Sequence, residues 1–415
     1  MPPQTLSEKL ISAHANRAVY AGDLAVVRVD GVMATDATAP FAIQAFREMG
    51  GKQVWDASRV SLVLDHASPA PNERVANLHK MIREFAVEQG THFYDLGAGI
   101  CHQLMVENAH VKPNDLFLGA DSHTPTYGAL NAFAVGMGST DIAAAMLTGK
   151  TWLKVPKTLK FVLKGRLNRG ISAKDLVLFL VGQIGVSGAL YMTVEFTGEA
   201  IHPMTLASRM VLANMVAEMG AKAGLVDTTG LQLPYEWESM QPDEGATYER
   251  VLEFDVSQLT PMIALPHIPD NVVPIAQVKG VKVHQAFIGS CTNARLEDLQ
   301  AAAAVLKGKK ISSKVRLLIS PSSNLVYKHA LKDGTVETLA DAGAIFMSSG
   351  CGPCVGTHMG VPGDGEVVIS STNRNFQGRM GNPNASIYLS SPAVVAASAL
   401  TGEITDPADL EASDG

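Results

Sequence analysis

The stretch Ile345–His358 reads I-F-M-S-S-G-C-G-P-C-V-G-T-H, and the interpretation of the whole chain starts from it. Two of the four cysteines, Cys351 and Cys354, stand here with C-x-x-C spacing among three glycines. A third cysteine, Cys291, stands earlier in the chain in G-S-C-T-N. Four cysteines in 415 residues are too few for a disulfide framework, so they indicate metal binding, catalysis or burial.

Length and composition limit the class of protein. A chain of 415 residues predicts roughly three domains, and 47% hydrophobic with 18% charged residues is typical of globular domains. The net charge of −7 comes without a basic block, which argues against a nucleic-acid surface. The N-terminus has no apolar signal core, and no apolar run reaches the roughly 18 residues of a membrane span. We therefore expect a soluble, cytoplasmic protein.

Short apolar runs alternate with helical patterns along the chain, which predicts an α/β protein with three doubly wound α/β/α domains. A first domain boundary is expected near Trp152–Pro156. A second is expected where Pro261, Pro266, Pro269 and Pro274 crowd together, because neither a helix nor a central strand tolerates them. The predicted domains are residues 1–155, 156–272 and 273–415.

Acidic residues and histidines follow two predicted strands. The run Val60–Leu64 ends directly at D-H (65–66), and the strand Leu116–Leu118 ends shortly before D-S-H (121–123). Ligands of open α/β sheets bind in the crevice outside these carboxyl ends. A lone histidine is more often structural than catalytic, but a carboxylate partner fixes its tautomer and suits it to proton transfer. The candidate acids and bases are Asp65, His66, His102, Asp121, His123 and Glu218.

The three cysteines are expected to meet, because Cys291 and Cys351 each follow a strand of the third domain. Three thiolates on a four-iron cubane would leave one iron without a protein ligand, and an open metal position suits Lewis-acid chemistry. Three other interpretations stay open: a zinc site with His358 as fourth ligand, a C-G-P-C redox dithiol, and inert buried thiols. Cys101 stands alone in an apolar helical pattern and is interpreted as a core residue.

An anion site is predicted at the end of another strand. Arg374 and Arg379 stand in S-T-N-R-N-F-Q-G-R, after the strand Val367–Ile369. Arginine binds carboxylates bidentately, whereas the alternative is a pair of solvated surface arginines. Their position on the cysteine side of the same sheet favours the anion site.

Together these motifs resemble the aconitase superfamily over essentially the whole chain. The motifs occur in the family's order: G-x-G-I-x-H-Q at 97–103, D-S-H-T at 121–124, G-S-C-T-N at 289–293, G-C-G-P-C at 350–354 and N-R-N-F-x-G-R at 373–379. Length and the last motif are most similar to the branch of two-subunit enzymes that contains the 3-isopropylmalate dehydratases and homoaconitases. The resemblance implies three α/β/α domains around a central cleft.

The resemblance also implies roles for individual residues. Cys291, Cys351 and Cys354 would bind a [4Fe–4S] cluster, and its free iron would bind the substrate hydroxyl and one carboxylate. The family's pairs correspond to Asp65 with His66, Asp121 with His102, and Glu218 with His123, and His66 would give the proton to the leaving hydroxyl. The implied substrate-binding residues, some of which would also stand close to the cluster, are Ser122, Asn214, Asn373, Arg374 and Arg379.

Two departures from the family pattern affect function. A glutamine that some aconitases carry ahead of D-A-T-A is Thr35 here, so that substrate contact is absent or changed. The family's swivelling fourth domain, which supplies the base for the carbon acid, has no counterpart in the sequence. The resemblance therefore implies a separate small subunit that completes the site.

The expected function is a hydro-lyase large subunit that isomerises a 2-hydroxy acid by dehydration and rehydration. Isomerisation of 2-isopropylmalate in leucine biosynthesis is the first expectation, and homoaconitate, aconitate and dimethylmalate chemistry are alternatives. An iron-sensing nucleic-acid binder and a thiol–disulfide oxidoreductase are the alternatives from other classes. The acidic charge balance weighs against the nucleic-acid binder.

Overall fold

Parallel β-sheets with helices between their strands build the protein, of which the computed structural model describes residues 1–413. The strands are β1 Leu24–Arg28, β2 Gly31–Thr35, β3 Val60–Val63, β4 His92–Tyr94, β5 Leu116–Gly119, β6 Phe133–Gly136, β7 Lys150–Lys154, β8 Thr158–Lys164, β9 Thr193–Thr197, β10 Ala223–Val226, β11 Arg250–Asp255, β12 Met262–Ala264, β13 Val272–Pro274, β14 Gln285–Ile288, β15 Arg316–Ile319, β16 Ile345–Phe346, β17 Val367–Ser370 and β18 Ser386–Leu389. The predicted α/β class with parallel sheets is confirmed.

The α-helices lie between these strands. They are α1 Leu6–Ala15, α2 Ala39–Glu48, α3 Glu73–Gln89, α4 Cys101–Glu107, α5 Ser139–Thr148, α6 Ala173–Ile184, α7 Leu206–Met215, α8 Leu296–Leu306, α9 Asn324–Lys332, α10 Thr335–Ala342, α11 Pro392–Thr401 and α12 Pro407–Ser413. Local sequence explains their ends. The spacing of Thr5 to Glu8 and of Ser172 to Asp175 in the sequence predicts capping boxes, and Thr5 and Ser172 form them at the starts of α1 and α6. They satisfy backbone N–H groups that have no partner inside the helix.

The first sheet is parallel throughout and has the order β4-β3-β2-β5-β6. The chain leaves β2 towards β3 and β4 on one side, and β5 and β6 lie on the other side. The order therefore reverses between β2 and β5, and such a switch point opens a crevice at the carboxyl ends of the strands. The segments that follow β2, β3 and β5 all face this crevice.

The other two large sheets repeat this principle. The second sheet is parallel, with the order β10-β9-β8-β11. In the third sheet, β13-β12-β18-β17-β14-β15-β16, the strands from β18 to β16 are parallel and the order reverses between β14 and β17. The short strands β12 and β13 join this sheet antiparallel. The proposed domain division at residues 155 and 272 stays a prediction.

Contacts between the sheets bring their carboxyl edges together. The backbone of Gly99, just before α4, pairs with that of Ser323, just before α9. The N–H of Ile100 donates to the carbonyl of Ser322 at 2.8 Å.

Within residues 1–413, no helix has the length and apolar character needed to cross a membrane.

Gly356 and Gly365 offer a test of how tightly the Cys354 segment is packed. Both have positive φ, at 63° and 72°, but a methyl group on Gly356 would lie 2.1 Å from the backbone nitrogen of Gly381, whereas Gly365 has open space. Gly365→Ala should therefore lower the free energy of unfolding by about 1–2 kcal/mol from backbone strain alone. Gly356→Ala should cost about 1–3 kcal/mol more. Urea unfolding of both variants checks this, and equal losses would contradict the close packing.

Candidate active site

Three buried thiols converge at the carboxyl edge of the third sheet. Cys291 follows β14, and Cys351 and Cys354 follow β16, with Cys354 in the 3-10 helix Gly352–Val355. All three are free thiols, and they line one cavity of about 160 Å³. The sequence prediction that these cysteines meet thus has the geometry it requires, although their role as ligands stays a prediction.

Nitrogen donors point at two of these sulfur atoms, those of Cys291 and Cys354. The amide Nδ2 of Asn214 donates to Sγ of Cys291 at 3.1 Å, and that of Asn373 does so at 3.4 Å. Nη2 of Arg379 lies 3.6 Å from Sγ of Cys354. N–H donors around sulfur stabilise a thiolate, which is the form that binds metals.

One donor has no acceptor among the described residues. Nε of Arg379 is buried and makes no hydrogen bond within residues 1–413. A buried unpaired donor on a charged group is costly, so the cavity fits an anionic group beside this guanidinium. Three sulfur donors suit iron–sulfur clusters or zinc, and the residues present therefore fit an iron–sulfur cluster.

Two single-ion sites are the alternatives to a cluster that the structure allows to be compared. His358, the possible fourth zinc ligand, contacts the carbonyl of Ser68 through Nε2 at 3.1 Å, and the cavity is lined by other residues. A different group could hold a single ion, because Asp65, His66 and Cys351 place one ligand atom each within 4.8 Å of one another. In the structure, the side chains of Asp65 and His66 form a hydrogen bond with each other, with 2.7 Å between Oδ1 and Nδ1.

The Asp65–His66 pair follows β3 after one residue, Leu64, close to where the sequence predicts it. Nδ1 of His66 lies 2.7 Å from Oδ1 of Asp65. The other carboxylate oxygen of Asp65 accepts the backbone N–H of Cys101 at 2.7 Å, and its carbonyl accepts the N–H of Cys351 at 2.8 Å. Asp65 therefore links His66 of the first sheet to the cysteine segment of the third. Cys101 is buried in the core, as expected, and also lines the cavity.

Asp121 lies among three histidines. Its Oδ1 lies 2.8 Å from Nε2 of His102 and accepts the backbone N–H of His123 at 2.8 Å. Its Oδ2 lies 3.3 Å from Nε2 of His66. Nδ1 of His102 in turn contacts the hydroxyl of Tyr127 at 3.1 Å. The predicted pairing of His102 with Asp121 is present, and His66 shares the same carboxylate.

The third pair extends to an arginine. Nε2 of His123 lies 3.0 Å from Oε1 of Glu218, and the same oxygen accepts from Nε of Arg374 at 2.8 Å. Nη1 of Arg374 donates to the hydroxyl of Ser122 at 3.0 Å. The sequence pattern predicts a helix over Met210–Ala217 that carries Asn214 and Glu218, four residues apart, on one face. In the structure α7 ends at Met215, and Glu218 lies in the tighter 3-10 turn Val216–Met219. Both side chains still reach the site.

Most of the predicted site residues line the cavity itself. The other three do not line it but form hydrogen bonds with residues that do: Asp65 with His66, Asn214 with Cys291, and Glu218 with His123. The predicted residues that line the cavity are His66, His102, Asp121, Ser122, His123, Cys291, Cys351, Cys354, Asn373, Arg374 and Arg379.

The contacts set the charges of the buried groups. Burial opposes ionisation of Asp121, but its hydrogen bonds with His102, His123 and His66 outweigh burial and hold its pKa well below the usual range. Burial likewise opposes ionisation of Glu218, and His123 and Arg374 lower its pKa on balance. Burial raises the pKa of Cys291 to about 12. The carboxylates are thus anions at neutral pH, and a cationic metal centre would favour the thiolate form.

Sequence reasoning missed Asp36, which lies behind the Asp65–His66 pair. Its carboxylate accepts the backbone N–H groups of Asp65, His66 and Ala67 at 3.1, 2.8 and 2.8 Å. Nε2 of His79 lies 3.3 Å from it. The sequence pattern predicts a loop of small and polar residues over D-G-V-M-A-T-D-A-T-A-P (30–40). This prediction is wrong for residues 31–35, which form β2, the strand next to β3 at the switch point. Because Asp36 directly follows β2, its place at the sheet edge is seen only once that strand is known.

The fold and the site together define a class of α/β enzymes in which buried cysteines, arginines and histidines with carboxylate partners surround one cavity. The aconitase family (aconitate hydratase) matches residues 8–281 and 276–402 of this sequence. The chain belongs to the aconitase family.

Curated relatives share nearly half of their residues with the chain. The 3-isopropylmalate dehydratase large subunit 1 of Methanopyrus kandleri is 48% identical over 97% of this chain and 99% of its own length. The 3-isopropylmalate dehydratase large subunit of Oleidesulfovibrio alaskensis is 48% identical over 98% and 99%. Among solved structures, aconitase X of Thermococcus kodakaraensis has a TM-score of 0.52 at 14% identity and covers 89% of this chain and 92% of its own. That likeness concerns the fold alone.

The buried carboxylate of Asp36 predicts a pH-dependent contribution to stability. Burial opposes its ionisation, but His79, His66 and the backbone N–H groups lower its pKa from 3.8 to about 2. Because the folded pKa lies below the unfolded one, this contribution is present above about pH 4 and is lost as the pH falls towards 2. Asp36→Asn should lower the free energy of unfolding by about 2 kcal/mol at neutral pH, with a smaller difference below pH 4.

Urea unfolding of wild type and Asp36→Asn between pH 7 and about pH 3.5 measures this difference. Asp341→Asn, at an exposed aspartate of α10, is the control and should change stability by less than about 0.5 kcal/mol. A difference between wild type and Asp36→Asn that grows as the pH falls would contradict the assignment.

Proposed function

We propose that this chain is the large subunit of an iron–sulfur hydro-lyase that isomerises 2-isopropylmalate to 3-isopropylmalate by dehydration and rehydration. The observation that carries the proposal is a single cavity lined by the three thiols, three histidines, Asp121 and two arginines. The names of the relatives support the substrate, and their common designation as large subunits supports a separate small subunit.

Cys291, Cys351 and Cys354 would hold the cluster. A [4Fe–4S] cluster bound by three cysteines supplies a Lewis acid for the substrate hydroxyl through its iron without a protein ligand. Asn214 and Asn373 donate N–H groups to Cys291 and thereby stabilise the thiolate that such binding requires.

The remaining residues bind the substrate and move protons. Arg374 is fixed by Glu218 and Ser122, and Arg379 has its free Nε; both suit carboxylate binding. His66 is oriented by Asp65 through Nδ1, so its Nε2 is the atom that gives a proton to the leaving hydroxyl. The small subunit would supply the base that takes the proton from carbon, and the arginines would offset the negative charge that develops there.

The substituent of the substrate separates this proposal from its nearest alternatives. The hydroxyl and the carboxylates are common to 2-isopropylmalate, homocitrate, citrate and dimethylmalate, and the residues described above address only these common groups. Recognition of the isopropyl group would belong to the part of the pocket that the small subunit closes.

An activity assay tests this function. After anaerobic reconstitution with iron and sulfide, the chain alone should be inactive. With its small subunit it should convert 2-isopropylmalate faster than homocitrate, citrate or dimethylmalate, measured by the ultraviolet absorbance of the enoate intermediate. Full activity of the chain alone would refute the need for a partner, and a preference for another acid would change the substrate.

Arg379→Lys tests carboxylate binding separately from cluster binding. Lysine keeps the charge but cannot form the planar fork, so KM should rise about tenfold or more while the iron content stays that of wild type. Steady-state kinetics with parallel iron determination check this. An unchanged KM would exclude Arg379 from substrate binding, and loss of iron would assign it to the cluster instead.

A further inference from the structure

A buried lysine outside the proposed machinery holds the loop that carries Asn373 and Arg374. Nζ of Lys174 donates to the carbonyls of Ser371 at 2.9 Å and Thr372 at 2.6 Å. These carbonyls belong to the turn between β17 and Asn373, and Lys174 is fully buried. Its ammonium group therefore fixes the backbone from which Asn373 and Arg374 project into the cavity.

Local structure gives no reason for a lysine at this position. Lys174 is the second residue of α6, and a cation is unfavourable at a helix N-terminus because of the helix dipole. Burying a lysine amine is also costly unless hydrogen bonds compensate, and the two carbonyls of the loop supply them. A residue that breaks local rules in this way is expected where a site requires it.

Arg295 likewise donates hydrogen bonds to backbone carbonyls, here those of the loop that carries Cys291. Its Nη2 donates to the carbonyl of Cys291 at 2.7 Å and its Nη1 to that of Thr292 at 2.7 Å, while Nε donates to the side chain of Gln103 at 3.1 Å. The residue is buried. One planar guanidinium thus holds two consecutive carbonyls of the loop and links them to α4 of the first sheet.

Asp36 holds a third loop of the site, but as an anion that accepts hydrogen bonds rather than a cation that donates them. The turn after β3 directs three N–H groups to one side, and the carboxylate of Asp36 accepts all three. Where a site loop presents carbonyls the partner is a cation, and where it presents N–H groups the partner is an anion. Hydrogen bonds to charged groups are roughly twice as strong as neutral ones, so each contact restricts its loop strongly.

We propose that Asp36, Lys174 and Arg295 are positioning residues, each of which holds the backbone of one loop of the active site. They act on the segments 65–67, 371–372 and 291–292, and so through the backbone on His66, Arg374 and Cys291. Their effect on turnover rests on the proposed function, whereas their effect on the order of the loops does not.

Arg209 provides a matched control. It too is fully buried, and within residues 1–413 its guanidinium donates only to backbone carbonyls, those of Ile201, His202, Met204, Asp227 and Thr229. These carbonyls follow β9 and β10 of the second sheet, and none of them belongs to the three segments. Arg209→Met thus removes a buried cation of the same kind without touching a site loop.

Hydrogen–deuterium exchange of the full chain, read by mass spectrometry, is the primary test. The amide of Ser371 donates to the carbonyl of Phe287 at 3.0 Å and should exchange slowly in wild type. In Lys174→Met, exchange within residues 370–374 should rise about tenfold or more, because this segment opens locally more often. Arg209→Met should leave exchange in this segment unchanged. No change in Lys174→Met, or an equal change in both variants, would overturn the proposal.

Asp36→Asn applies the same test to residues 65–67 and keeps the side-chain shape, so it serves if Lys174→Met does not fold. Kinetics with the small subunit then address turnover: per folded chain, kcat should fall about tenfold in Lys174→Met and stay unchanged in Arg209→Met. Faster loop exchange with unchanged kcat would overturn the positioning role. An inactive wild type with the expected exchange pattern would instead refute the proposed function.

Discussion

The rest of the site depends on the carboxylate of Asp121 and its three histidine partners. Its Oδ1 lies 2.8 Å from Nε2 of His102 and accepts the backbone N–H of His123 at 2.8 Å, and its Oδ2 lies 3.3 Å from Nε2 of His66. A buried carboxylate requires such partners, since its desolvation is otherwise too costly. The partners are connected in turn, because His123 contacts Glu218 and Glu218 binds Arg374. The network therefore crosses from the first sheet to the 3-10 turn before β10 and on to the loop after β17, and it fixes the relative position of all three.

Much of this site follows from one rule that a sequence reader can apply. In a parallel sheet the carboxyl ends of the strands share one edge, so polar residues that follow different strands meet. The rule finds Asp65, Asp121, Cys291, Cys351 and Arg374, because each follows a short apolar run that is easily recognised as a strand. The helix caps at Thr5 and Ser172 are also read from sequence, since their chemistry is local.

The residues that support the site are not found in this way. Lys174 and Arg295 contact backbone carbonyls that are distant in sequence or belong to a turn, and no periodicity or motif marks such contacts. Asp36 follows β2, whose small residues predict a loop rather than a strand, and its three acceptor contacts depend on the turn after the neighbouring strand β3. Glu218 shows the opposite case: its role as partner of His123 was expected, but the change from α-helix to 3-10 helix before it depends on packing and not on local propensity.

The central claim is that Cys291, Cys351 and Cys354, and not Cys101, hold a four-iron cluster. Anaerobic reconstitution of the full chain, followed by iron, sulfide and zinc determination, tests this on wild type, Cys354→Ala and Cys101→Ala. Both alanine variants remove a buried thiol from the wall of the same cavity. We expect about four irons per chain in wild type and in Cys101→Ala, and loss of iron in Cys354→Ala. One zinc ion per chain, or an iron content that survives in Cys354→Ala, would contradict the account.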